Sequence, residues 1–140
     1  MQVRDLLKRY KLRNTQIRRF VIEIFRSQNR AFTHSSIEQN LGKKFNRVTL
    51  YRTLKTFEEV GLIHRIANEN DRVEYALCRH NCDAPSHEHF DNHIHFKCDR
   101  CARTFCLNHI PVPSIKVPAN YKVKDSQILL KGTCEYCNNI

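Results

Sequence analysis

Apolar side chains recur at helical spacing through the first sixty residues and then give way to short strands. Val3, Leu6, Leu7 and Tyr10 share one face over residues 2–10 and predict a first helix. Thr15 is placed to cap a second helix, whose stripe is Ile17, Phe20, Val21, Ile24 and Phe25. Ser35 with Glu38 three positions on reads as a capping box for a third, which carries Ile37 and Leu41 and stops at Gly42. A basic turn, Lys43-Lys44-Phe45, leads to Asn46 as the N-cap of a fourth helix over 47–60, ended by Gly61. Its expected core face is Val48, Leu50, Leu54, Phe57 and Val60, which leaves Arg47, Thr49, Tyr51, Arg52 and Lys55 outward. Two strands, 62–66 and 72–77, follow around a polar turn. Helices, a short turn, a helix with a basic outer face and a hairpin make a winged helix-turn-helix. The outer face of its fourth helix suits the major groove of duplex DNA. Tyr51 and Arg52 are expected to carry most of the specificity, with Arg13, Arg18, Arg47 and Lys55 on phosphates and Thr49 on bases or backbone.

Charge sharpens this picture. Residues 1–65 hold 15 Lys/Arg against 5 Asp/Glu, whereas residues 66–140 hold 9 of each, so the whole formal +10 lies in the first half. Histidine and cysteine do the opposite: all seven Cys and six of the eight His lie at or beyond position 78. One half is suited to a polyanion and the other to metal. No apolar run approaches the ~18 residues of a membrane span, and the start MQVRDLLKRYKLRN has no signal-peptide core. These features point to the cytoplasm, where thiols stay reduced, with no membrane partner.

Cys98-Asp-Arg-Cys101 and Cys134-Glu-Tyr-Cys137 are two CxxC knuckles with 32 residues between them. Together they predict a closed four-thiolate Zn2+ site that stabilises a small domain. Two redox motifs or two disulfides are the alternative, but nothing around either knuckle reads as a thioredoxin unit.

At this point the chain resembles the ferric uptake regulator family of metal-sensing bacterial repressors. The matching pieces are Leu12-Arg-Asn-Thr15-Gln-Ile-Arg18, Thr49-Leu-Tyr51-Arg52-Thr-Leu54, Glu59-Val-Gly61-Leu-Ile-His64 and His93-Ile-His95-Phe-Lys-Cys98-Asp-Arg-Cys101, with a last CxxC near the end. The resemblance implies an α+β chain that works as a homodimer on a palindromic operator in double-stranded DNA, with no small-molecule substrate. Its parts would be a winged-helix DNA-binding domain at 1–79, an inserted hinge at 80–90 and a β-rich, zinc-stabilised metal-binding dimerisation domain at 91–140. Two departures stand out. Pro111, Pro113 and Pro118 fall where the family usually has a helix, which favours an extended crossing segment. Residues 79–89 are an insertion at the domain junction.

A second metal site is expected to act as the sensor. His93 and His95 share a face if strand alternation holds, and His64 and Cys78 stand at one end of the wing. An ion held by all four would bridge the domains. By resemblance, His64 and Cys78 match regulatory positions of the zinc-sensing branch, and His93 and His95 those of most branches. Cys106 is either a further ligand or a packed core thiol. His34 matches a ligand position of the iron and peroxide branches, and Cys82, His80, His87 and His89 in the insertion are candidates for an additional ion. A donor set of thiolate and imidazoles, with no carboxylate beside the His pair, favours Zn2+ over iron or manganese as the regulatory divalent metal.

The expected function is a zinc-responsive repressor. An iron- or peroxide-responsive regulator is the alternative within the family. A zinc-dependent nucleic-acid enzyme lies outside it and lacks support: the four sulfurs close the CxxC site, and no His-x-Glu is paired with a Pro-Cys-x-x-Cys. A zinc-ribbon binding module without sensing would leave His93 and His95 unexplained.

Overall fold

The first helices form close to where apolar periodicity puts them: α1 (Val3–Arg9), α2 (Gln16–Ser27), α3 (His34–Leu41) and α4 (Arg47–Glu59). The computed structural model describes residues 1–67, 72–77, 94–107, 110–124 and 126–139. The chain divides into two units, Met1–Cys78 and Arg79–Ile140.

In the first unit, Leu7, Ile17, Val21, Ile22, Phe25, Ile37, Leu50, Leu54 and Phe57 make the core, joined by Phe32, Leu62, Ile63 and Tyr75 from the sheet side. The sheet holds β1 (Phe32–Thr33), β2 (Ile63–Ala67) and β3 (Val73–Leu77) in the order β1-β3-β2, all antiparallel. β2 and β3 are the expected wing. β1 is an addition, too short for alternation to reveal; it pairs Phe32 with Tyr75, and Phe32 meets Phe25 edge-on at 5.7 Å.

The caps differ in part from expectation. α3 starts two residues earlier than a Ser35 cap requires, because Thr33 accepts the Ser36 N–H at 3.1 Å while the Ser36 hydroxyl donates to the Thr33 carbonyl. Thr15 occupies the N-cap position of α2 without a side-chain capping bond. Asn46 caps α4 as expected, accepting the Thr49 N–H at 2.7 Å. Gly61 closes α4 with φ +80°, a backbone conformation that disfavours any side chain.

Val48 does not face the core. The buried positions of α4 are Leu50, Thr53, Leu54 and Phe57, the i, i+3, i+4, i+7 pattern of a single stripe. Val48 lies about 200° around the helix from Leu50 at 3.6 residues per turn and is 58% exposed. Thr53 joins the core instead, its hydroxyl satisfied by the Thr49 carbonyl at 2.8 Å.

The second unit is built on β4 (Ile94–Cys98), β5 (Thr104–Leu107) and β6 (Ile128–Gly132), followed by the single-turn α5 (Glu135–Asn138). The strand order is β5-β4-β6, with β5 antiparallel and β6 parallel to β4. Residues 110–124 form no helix, as the three prolines require. Among the described residues of this unit only Ile94, His95, Cys98, Thr104 and Cys134 are buried. No helix among the described residues is long and apolar enough to cross a membrane.

The Asn46 cap fixes the first turn of α4. Asn46→Ala is expected to lower stability by about 1 kcal/mol, read as an earlier urea midpoint at unchanged slope.

Candidate metal centre and nucleic-acid interface

Parallel pairing of β4 with β6 brings the two knuckles together. Cys98 lies opposite Gly132, and the Asp99 N–H bonds to the Gly132 carbonyl at 2.8 Å. The chain therefore arrives at Cys134 beside Cys98. The strands pass closely here: a Cβ at Gly132 would stand 3.3 Å from the Phe96 ring, which would have to give by a few tenths of an ångström. The first knuckle turns back through Ala102 in the left-handed region, φ +60°. Its ends are tied by Ala102 N–H to Cys98 carbonyl and Cys98 N–H to Arg103 carbonyl, each at 3.0 Å. Cys134 is the N-cap of α5, which carries Cys137 back alongside it.

The four sulfurs all lie within 4.8 Å of one another, and those of Cys101 and Cys134 are 3.8 Å apart. A disulfide needs about 2.05 Å, so these are separate thiols. A tetrahedral ion with bonds to sulfur of about 2.3 Å has edges of about 3.8 Å. The residues present therefore fit zinc. The Cys98 sulfur also accepts N–H bonds from Cys134 at 3.3 Å and Cys101 at 3.5 Å. These bonds, that of Cys101 foremost, hold the Cys98 thiol down at about 6 and favour the ligating thiolate. Burial, and then its sulfur neighbours, push Cys137 up to about 12. Arg100 donates to the Cys137 carbonyl at 3.2 Å, and Lys97 to the Ala102 carbonyl at 2.7 Å, placing two cations near the four sulfurs.

The expected sensor residues divide. Cys78 and His93, and the insertion candidates His80, Cys82, His87 and His89, lie outside the described residues. His95 is on the central strand β4 and is 1% exposed. Its direct cross-strand partner on β5 is Cys106, half-buried, and its partner on β6 is Leu129. Directly paired residues share a face of the sheet, with Cβ atoms about 5 Å apart. Cys106 is thus beside an imidazole rather than sealed in an apolar core. In the first unit His64, opposite Ala76 on the wing, is 6% exposed and lies on the face away from the helical core, whereas Ile63 and Tyr75 face it. His34 behaves otherwise. Its Nδ1 is 3.7 Å from Glu38, it shares a cleft of about 440 Å³ with Arg72, and no group of three donors among the described residues includes it. A guanidinium at the rim disfavours a cation there.

On α4, Arg47, Tyr51, Arg52 and Lys55 are exposed and Thr49 is half-buried. Packing below holds this face in place. Phe20 of α2 meets Phe45 edge-on at 5.9 Å, and the Lys44 ammonium stands 5.0 Å over the Phe20 ring, which fixes the turn just before the helix. At the other end Glu58 pairs with Arg65 of β2 at 3.3 Å and so joins helix to wing. Arg47 is 3.5 Å from Glu38 in an exposed pair that contributes little and yields readily to a phosphate. Arg13 is exposed, and Arg18 donates to its carbonyl at 3.1 Å. Val48 is the exposed residue of this face that apolar periodicity assigned to the core.

Known proteins match along nearly the whole chain. The model of the ferric uptake regulator family matches residues 9–132. A ferric uptake regulation protein of Staphylococcus epidermidis is 24% identical over 136 residues, covering 94% of this chain and 91% of its own. Among solved structures, a zinc uptake regulator complexed with zinc and DNA superposes with a TM-score of 0.67 at 19% identity, over 99% of this chain and 91% of that one. A zinc-bound manganese uptake regulator superposes with a TM-score of 0.63 at 18% identity, over 96% and 99% of the two chains. With the winged helix-turn-helix, the converging knuckle sulfurs and a family match that spans both units, the chain belongs to the ferric uptake regulator family of metal-responsive transcriptional regulators.

Proposed function

We propose that this regulator responds to zinc, acts in the cytoplasm as a homodimer, and represses by binding a palindromic operator when its sensor donors are loaded. The observation that carries the reading is the pairing of His95 with Cys106 on one face of β4–β5. A thiol beside an imidazole is a soft set that suits zinc, whereas iron(II) and manganese(II) favour carboxylates and more ligands. The sensor donors are His64 and Cys78 on the first unit, and His93 and His95 on the second, with Cys106 added to them. These residues would hold the ion, and loaded zinc would supply a point of attachment for a thiolate and imidazoles drawn from this set. If donors from both units hold one ion, metal supply is linked to the pose of the DNA-binding unit. Turning a 1:99 population into 99:1 takes about 5.5 kcal/mol of preference. Reciprocity then requires operator DNA to tighten metal binding by the same factor. The second reading, an iron- or manganese-responsive regulator, is supported by the names of the relatives and opposed by the donor set.

The knuckle site is proposed to hold a separate, structural zinc, since a unit with so few buried side chains among its described residues gains its stability from metal. Dimerisation is assigned to the second unit. Ile115, Val117, Tyr121 and Val123 are all exposed in the proline-rich stretch, and Leu130 is exposed on β6. A second copy can cover them, and its two-fold axis would set two recognition helices on half-sites about one helical turn apart, or a multiple of it.

Three measurements test this. Cys98→Ser is expected to lose one equivalent of bound zinc and to lower the melting temperature of the second unit; full zinc content would refute the structural site. The paired charges Ile115→Asp and Val117→Asp should shift sedimentation from dimer to monomer and weaken operator binding, while far-ultraviolet circular dichroism stays that of the parent. His95→Ala and Cys106→Ser should keep the knuckle zinc yet abolish the rise of operator affinity with free zinc. A zinc response equal to the parent's in both would place the switch elsewhere, and a response to iron but not zinc would favour the second reading.

A further inference from the structure

The face of α4 that the core leaves free has an apolar centre. Val48 is 58% exposed and Tyr51 is 56% exposed. Val48, Arg52 and Lys55 follow one another at i, i+4 and i+7 and so form a single row, with Tyr51 beside it. Arg47, Arg52 and Lys55, all exposed, surround Val48 with positive charge. Among the described residues, neither the core cluster nor the side chains packed against it include this valine. The core stripe of α4 is complete without it, and an exposed β-branched residue costs helix stability relative to alanine.

Its rigidity is an asset in one setting. In a helix, valine is held largely in one χ1 rotamer, so burying it against a partner costs little side-chain entropy. It stands in the first turn of α4, the part of a recognition helix that meets base edges, and that turn is locked by the Asn46 cap. The cationic rim selects a polyanion over an apolar protein surface. In the major groove one base offers a methyl group to an apolar side chain, and that base is thymine.

Resting on the DNA-binding reading above, we propose that Val48 is a specificity-determining residue that reads the 5-methyl group of one thymine in each operator half-site. Tyr51 and Arg52 do not make this contact redundant, because Val48 stands a full turn before Arg52 and reaches a different base step.

The test uses the full chain loaded with zinc and a preferred duplex selected from a randomised pool. Each thymine is replaced in turn by deoxyuridine, which removes the methyl and keeps the base pair. The parent should lose about fourfold in affinity per half-site at one symmetry-related thymine, the expected effect of one buried methyl. Val48→Ala, which favours the helix, should melt no lower than the parent, show the same loss on the all-thymine duplex, and be indifferent to deoxyuridine at that position alone. Val48→Ala with the parental affinity, or with the parent's full deoxyuridine profile, overturns the proposal while leaving DNA binding intact. A parent that selects no sequence from the pool overturns both this inference and the reading beneath it.

Discussion

The register between β4 and β6 is the constraint on which the second unit depends. Cys98 opposite Gly132 sets the end of one strand against the end of another and lets two short knuckles present their sulfurs to one point. The strands supply few buried side chains of their own. Two of the five buried residues described in this unit are knuckle cysteines, so the cluster stands where a larger domain would have its apolar centre. On the same strand, His95 lies between Cys106 of β5 and Leu129 of β6, and a slip of β4 by one residue would send the imidazole to the other face of the sheet. The cysteine cluster and the proposed sensor donor His95 thus share the central strand β4.

The first unit solves a different problem with ordinary means. Its core is apolar and its buried polar side chains in α4 are satisfied within the helix. What matters for recognition is that both ends of α4 are held: by the cap and the Phe20–Phe45 contact before it, and by the Glu58–Arg65 pair after it. A helix fixed at both ends transmits a change in the pose of its unit to the DNA without bending in between.

Much of this was legible in the sequence. The stripe of α2, the Asn46 cap, the Gly61 stop and the two CxxC spacings each have a local cause, and the family resemblance agreed with them. The misses have causes too. Val48 and Leu50 are both apolar and two apart, and helical geometry cannot bury both on a narrow stripe; choosing between them needs the phase set by Leu54 and Phe57. Thr33 and Ser35 are both good caps, and tertiary pairing of β1 with β3 settled the start of α3. Cys106 could not be placed without knowing what lies across the sheet from it, since a lone cysteine looks the same as ligand or packing. The parallel return of β6 left no periodic trace, because the segment before it is proline-rich and irregular.

The parallel return has a consequence for how the chain folds. Helices of the first unit are built from contacts near in sequence, which form quickly. Cys98 and Cys134 are 36 positions apart, and closing a loop of that length costs about 3 kcal/mol beyond a constant term before any strand contact compensates it. The two units therefore differ in contact order, and the reading head can be complete while the second unit is still open. If the knuckles hold zinc as proposed, a chain made under zinc scarcity would linger in that half-assembled state, with the ends of β4 and β6 unjoined. Supply of the ion would then govern how fast the regulator matures as well as what the mature regulator does.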